Sequence, residues 1–171
     1  MSDRHYGLGA EHPLWDTLQN ILILLMIVSI VGDSLSQYFL GFSTIQVSVI
    51  STPLLLIPAA LLIVIGYRLV SKSYEVVLMR SGQPRLIEDG VYSLVRHPMY
   101  LGVSLFLLGF LFLEFSLVAA FFLIVFAVAC DWAATYEERD LVRTLGDEYR
   151  DYQRRVPKWV PRRLYTRSDK S

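Results

Sequence analysis

Arg96 and His97 stand immediately before Pro98 at the head of a long apolar run, and about forty residues later the next apolar run gives way to two adjacent carboxylates, Glu137 and Glu138. Proline is suited to the first position of a helix, so Arg96 and His97 fall at a helix N-terminus, beside backbone N–H groups that have no partner within the helix. An anion is stabilised there. Two neighbouring carboxylates at a membrane boundary repel each other and resist desolvation unless cations or hydroxyl donors meet them. Brought face to face, the two segments would build a polar pocket, mixed in acid and base, that suits a small zwitterionic or cationic cofactor. A plainer reading has Arg96 and Tyr100 anchoring the helix at the interface while His97 caps it. Three polar side chains within five residues is more than anchoring needs.

The elements that must position these groups follow from composition. The chain has 171 residues, of which 54% are hydrophobic and only 19% charged, and its sixteen basic residues balance sixteen acidic ones. Soluble domains hold roughly 45–50% apolar residues. The mean hydropathy of +0.44 and the clustering of charge between apolar stretches indicate an all-α, multi-pass membrane bundle. Zero net charge argues against nucleic acid as a partner. The single cysteine, Cys130, excludes a disulfide framework or a cysteine-based metal site.

Apolar runs predict spans at about 18–40 and 47–70, with Thr52 and Pro53 equally able to serve as N-cap and first turn of the second. The region 100–130 would make a helix of about 46 Å, too long for one untilted span, so it divides into a hairpin of about 98–113 and 116–136 turning at Glu114, Phe115 and Ser116. Lysines and arginines number one before the first span, none between the first two, five over 68–96, none at the Glu114 turn and ten from Arg139 onward. Four crossings put all of them on one side, which the positive-inside rule makes cytoplasmic, with both termini. Glu114 then lies at the outer turn. Beyond Glu138, the residues Leu141, Leu145, Tyr149, Tyr152 and Val156 recur at spacings of 4, 4, 3 and 4, the apolar face of a cytoplasmic amphipathic helix. Trp15, Trp132 and Trp159 fall near boundaries, as in an interfacial belt. His5 and His12 read as tail histidines, with no metal site expected.

Gly90-Val91-Tyr92, then Arg96-His97-Pro98-Met99-Tyr100-Leu101-Gly102, then Glu137-Glu138, Leu141, Gly146, Tyr149, Tyr152 and Val156-Pro157 form an ordered set over about residues 82–163. This set resembles the isoprenylcysteine carboxyl methyltransferase family and the related phospholipid N-methyltransferases. The resemblance implies a membrane methyltransferase that uses S-adenosyl-L-methionine on a lipophilic or small acceptor. It implies a cofactor site of Tyr92, Arg96, His97, Tyr100, Gly102, Glu137 and Glu138. On that footing Arg96 and His97 would hold the cofactor carboxylate, a glutamate its ammonium or ribose hydroxyls, and Tyr92 and Tyr100 an aromatic wall, with Gly102 permitting close approach.

In one respect the chain departs from the carboxyl-methylating members. Where they carry a basic residue about one turn before the glutamate pair, this chain has Asp131-Trp132-Ala133-Ala134. Arg68, Lys72 or Arg139 could stand in for that residue. An NADPH-dependent membrane reductase of related fold is the alternative enzyme class, though no Gly-rich dinucleotide loop is present. A bundle without catalysis is the other alternative. The expected setting is a plasma or inner membrane in a prokaryote, or endoplasmic reticulum in a eukaryote.

Overall fold

A computed structural model describes residues 14–41, 47–48, 53–80 and 86–161. Five helices follow one another: α1 Trp15–Leu40, α2 Pro53–Arg80, α3 Pro98–Leu113, α4 Leu117–Leu145 and α5 Asp147–Arg155, with a 3-10 turn at Gly90–Ser93 ahead of α3. α1, α2 and α4 are long and apolar enough to cross a membrane, whereas α3 is a shorter apolar helix. The chain is a multi-pass helical membrane bundle. His5 and His12 lie outside the described residues.

Two helices outrun the apolar stretches that predicted them. α2 begins on Pro53, the helix start that the Thr52-Pro53 pair offers in the sequence, and continues past residue 70 to Arg80. Its added turns carry Lys72 and Glu75, which pair at 2.6 Å on the helix surface, so charge ends the apolar run without ending the helix. α4 runs to Leu145, not to residue 136, and Glu137 and Glu138 are interior helical residues. The amphipathic helix expected over 141–156 is broken at Gly146, whose φ of 59° is open to glycine but strained for other residues. Its apolar face survives the break, because Leu141, Tyr149, Tyr152 and Val156 still pack as one buried cluster.

The α3–α4 hairpin turns where expected. The backbone at Glu114–Phe115 pairs antiparallel with Val47–Ser48. Buried Ser116 caps α4 by accepting from the Ala119 N–H at 3.3 Å, and its hydroxyl donates to the Asp33 carboxylate on α1. One small side chain thus starts α4 and ties it to α1.

Helical geometry then decides which face of α3 meets which neighbour. Leu107 and Leu111 lie within about 20° of Tyr100 around the axis, while Gly102 and Gly109 lie about 180–200° away. The first face joins Trp15, Leu22 and Met26 of α1 and Phe126, Cys130, Ala133 and Ala134 of α4 in the main core. The second face packs on α2. A Cβ on Gly102 would sit 2.9 Å from the Gly66 carbonyl oxygen, and one on Gly66 would sit 2.6 Å from the Phe106 nitrogen. Alanine at either position therefore forces the backbones apart, as at close contacts between membrane helices generally. The outward faces, with Leu24, Val28 and Val31 on α1 and Phe121, Ile124 and Val128 on α4, are apolar and exposed, as a bilayer requires.

Candidate functional site

At the end of the bundle where α3 begins, residues 86–97 fold back over α4 and α5. The Gly90–Ser93 turn buries Tyr92, whose carbonyl accepts from the Tyr152 hydroxyl at 2.7 Å. Arg96 follows. Its backbone N–H donates to the Pro157 carbonyl at 3.0 Å. Its guanidinium reaches Glu138 through Nε at 2.9 Å and through Nη2 at 3.4 Å, while Nη1 donates to the carbonyls of Gln153 and Val156 at 3.0 and 3.2 Å. Arg96 is thereby committed to Glu138 and to the chain beyond α5.

His97 stands between the two glutamates. Its Nε2 lies 3.0 Å from Glu138 Oε1, and its Nδ1 lies 3.6 Å from Glu137 Oε2. The imidazole stacks on Tyr100 with centroids 5.9 Å apart and meets the Trp159 ring at 5.8 Å. Tyr100 in turn donates its hydroxyl to Glu137 and packs edge-on against Trp15 at 5.2 Å. Although adjacent in sequence, the two glutamates are about 100° apart on α4 and have different surroundings. Glu138 is held by Arg96, His97 and Gln153 Nε2, the last at 3.0 Å. Glu137 faces a cavity.

That cavity is about 70 Å³ and is lined by Tyr92, His97, Tyr100, Glu137, Leu141 and Tyr149 among others. Ligand pockets usually measure roughly 300–1,000 Å³, so it accommodates part of a cofactor-sized molecule. On the other side of Glu138 an open groove of about 340 Å³ is lined by Thr135, Arg139, Arg143 and Gln153. Burial is the first cause of raised pKa values at Tyr92, Tyr149 and Tyr152, and the charges of Glu137, Glu138 and ionised Tyr92, respectively, add to it. All three remain neutral phenols.

Burial alone would lower the His97 pKa, and it is the largest single effect. The hydrogen bonds and charges of Glu137 and Glu138 together outweigh it, so the pKa lies above the ordinary 6.5. The folded state therefore binds the His97 proton more tightly than the unfolded chain does. The resulting stabilisation is complete below about pH 6.5 and is lost as pH rises through the folded value. The Tm of the wild type should fall across that interval more than that of His97→Gln; parallel curves would show that the proton contributes nothing.

Of the residues that sequence singled out, Tyr92, Arg96, His97, Tyr100, Glu137 and Glu138 come together here. Gly102 does not, because its bare face is turned to α2. Two tryptophans expected in an interfacial belt are instead part of the site: Trp15 is only 2% exposed, and Trp159 packs against the core beside His97. A cation does reach the Asp131 turn from elsewhere in the chain: Lys158, whose Nζ lies 2.6 Å from Asp131 Oδ1 and 2.8 Å from Thr135 Oγ1. Lys72 pairs instead with Glu75, and Arg139 lines the outer groove. Nothing in helical periodicity marks Lys158, which lies after α5 and reaches back across 27 residues.

Fold and cluster together define a helical membrane protein with a buried acid–base centre at one end. The phospholipid methyltransferase family model matches residues 54–148, more than half of the chain, and the chain belongs to that family. Among curated relatives, it is 35% identical over 92 residues to Protein-S-isoprenylcysteine O-methyltransferase of Schizosaccharomyces pombe, covering 53% of this chain and 39% of that one. It is 40% identical over 80 residues to Methanethiol S-methyltransferase 2 of Bradyrhizobium diazoefficiens, covering 42% and 27%. It is 31% identical over 96 residues to Protein-S-isoprenylcysteine O-methyltransferase B of Arabidopsis thaliana, covering 53% and 47%. The chain spans less than half the length of each of these relatives.

Proposed function

We propose that this protein is an S-adenosyl-L-methionine-dependent methyltransferase acting on a lipophilic or small acceptor. The observation that carries the reading is the Glu137 carboxylate, held by Tyr100 and His97 and turned into a tyrosine-lined cavity within the segment matched by the family model. The residues fit the cofactor by their chemistry. A cavity-facing carboxylate suits an ammonium or ribose hydroxyls, and the rings of Tyr92, Tyr100 and Tyr149 suit a flat base. Arg96 is assigned a different part from the one its place in the sequence implied. With most of its donors on Glu138, Gln153 and Val156, it holds the site together, and it also lines the cavity.

When bound, the cofactor supplies an electrophilic methyl group on a sulfonium. An acceptor that is already an anion or a free amine needs in-line alignment more than proton transfer. The chain's work is therefore to bind, orient and exclude water. Tyr92, Tyr149 and Tyr152, neutral and buried, give the cavity an uncharged wall beside Glu137, Arg96 and His97, and for an anionic acceptor charge annihilation in the transition state is favoured where water is excluded. The acceptors named for the relatives, an isoprenylated cysteine and methanethiol, bracket the lipophilic and small classes.

Calorimetric titration of the detergent-purified protein with S-adenosylhomocysteine, and with NADPH in parallel, tests the reading. Saturable binding of the first alone is expected; binding of NADPH alone would replace it with a reductase. We also assign the site to the cytoplasmic face, since four crossings gather all the basic residues on the side of Arg96 and Arg143. Trypsin should then cleave within 139–155 in inside-out vesicles and spare right-side-out ones, and the reverse pattern would invert the topology.

A further inference from the structure

The chain after α5 crosses the acid–base cluster as a strap, tied at both ends. At its inner end the carbonyls of Val156 and Pro157, with that of Gln153 in the last turns of α5, accept from Arg96. At its outer end Asp131 accepts from Lys158 Nζ at 2.6 Å and from Trp159 Nε1 at 2.9 Å. Lys158 also donates to the Asp131 carbonyl at 3.1 Å and lies 5.5 Å above the Trp159 ring. The indole fixed in this way is the one that meets His97.

We infer that Asp131, Lys158 and Trp159 form a clasp that positions His97, and that they are positioning residues for the methyl-transfer site. The inference rests on the reading of the cluster as the cofactor site. Three features of the geometry support it. The Asp131 side chain is 55% exposed, and ion pairs at such positions contribute little to stability, so the clasp is poorly explained as a fold-holding device. Asp131 accepts from both strap side chains at one oxygen, which sets the plane of the indole as well as its distance. His97 must keep Nε2 toward Glu138 and Nδ1 toward Glu137, and rings at Tyr100 and Trp159 restrict its rotation. The departure at Asp131-Trp132-Ala133-Ala134 thereby acquires a purpose. The acid is there to receive a lysine and an indole from the far end of the chain.

The test uses His97 as its own reporter. His5→Gln and His12→Gln leave it the only imidazole of the full-length chain, and its carbethoxylation by diethylpyrocarbonate is followed by absorbance and peptide mass. In that background Asp131→Ala and Trp159→Leu should each speed modification about 5- to 10-fold, the scale of one lost hydrogen bond. Trp159→Phe, which keeps the ring, should restore most of the protection, and Lys158→Met should fall between. Exposed Thr144→Ala is the control. Rates equal to wild type in Asp131→Ala and Trp159→Leu overturn the clasp, and so does an equal rise in Thr144→Ala, which would mean general loosening. S-adenosylhomocysteine titration of the same proteins separates the two readings. If the unaltered chain does not bind, the methyltransferase assignment fails while the modification rates still decide the clasp.

Discussion

Arg96→Met should lower the unfolding free energy by about 3–5 kcal/mol, the cost of removing one partner from a buried ion pair. Arg96 and Glu138 side chains are each only 12% exposed, so water cannot replace the lost contact. The same substitution also strips the carbonyls of Gln153 and Val156 of their donor. α5 and the segment after it should therefore come loose first. Thermal unfolding in detergent, with tryptic cleavage after Arg150 and Arg154 as the local probe, gives the measurement. A Tm equal to wild type would show that Arg96 does not organise this end of the bundle.

The two glutamates should separate under conservative substitution. Glu137→Gln keeps size and helix, and its side chain faces the cavity, so it should weaken S-adenosylhomocysteine binding roughly 30-fold or more, with a smaller fall in Tm from its loosened hold on Tyr100 and His97. Glu138→Gln should do the opposite in proportion. It leaves Arg96 and His97 without the charge that holds them, so Tm should drop and affinity should fall largely as a consequence. Equal effects of the two variants on both measurements would mean that the pair acts as one unit, and the division of labour would be withdrawn.

Much of this was legible in the residues. Local rules placed the start of α3 on Pro98 and the hairpin turn at Ser116, and the ordered set from Gly90 to Pro157 carried the family resemblance. Gly102 shows a signal that was present but unused: two residues from Tyr100 is about 200° around a helix, enough to turn it away from anything Tyr100 faces. Helices α2 and α4 run on past the apolar stretches because apolar character stops at the membrane while helix propensity does not. Lys72, Glu75, Arg139 and Arg143 are all good helix formers. Lys158 and Trp159 had no local signal. Their partners are Asp131 and His97, and pairing over 27 residues or more is fixed by the tertiary path of the strap.

The shortness of α3 has its own consequence. Sixteen residues give about 24 Å of helix against roughly 30 Å of hydrocarbon. On the proposed topology the Glu114 turn is the outer end, and the helix then starts at Pro98 some 6 Å below the level a full span would reach, a mismatch that a bilayer meets by thinning. The acid–base cluster just ahead of Pro98 is thereby set close to the lipid. On the proposed function, reactants would then be supplied by phase, the polar donor from water and a lipophilic acceptor from within the lipid leaflet. Saturation by such an acceptor follows its mole fraction in the bilayer, so diluting the vesicles at constant lipid composition leaves the rate per enzyme unchanged.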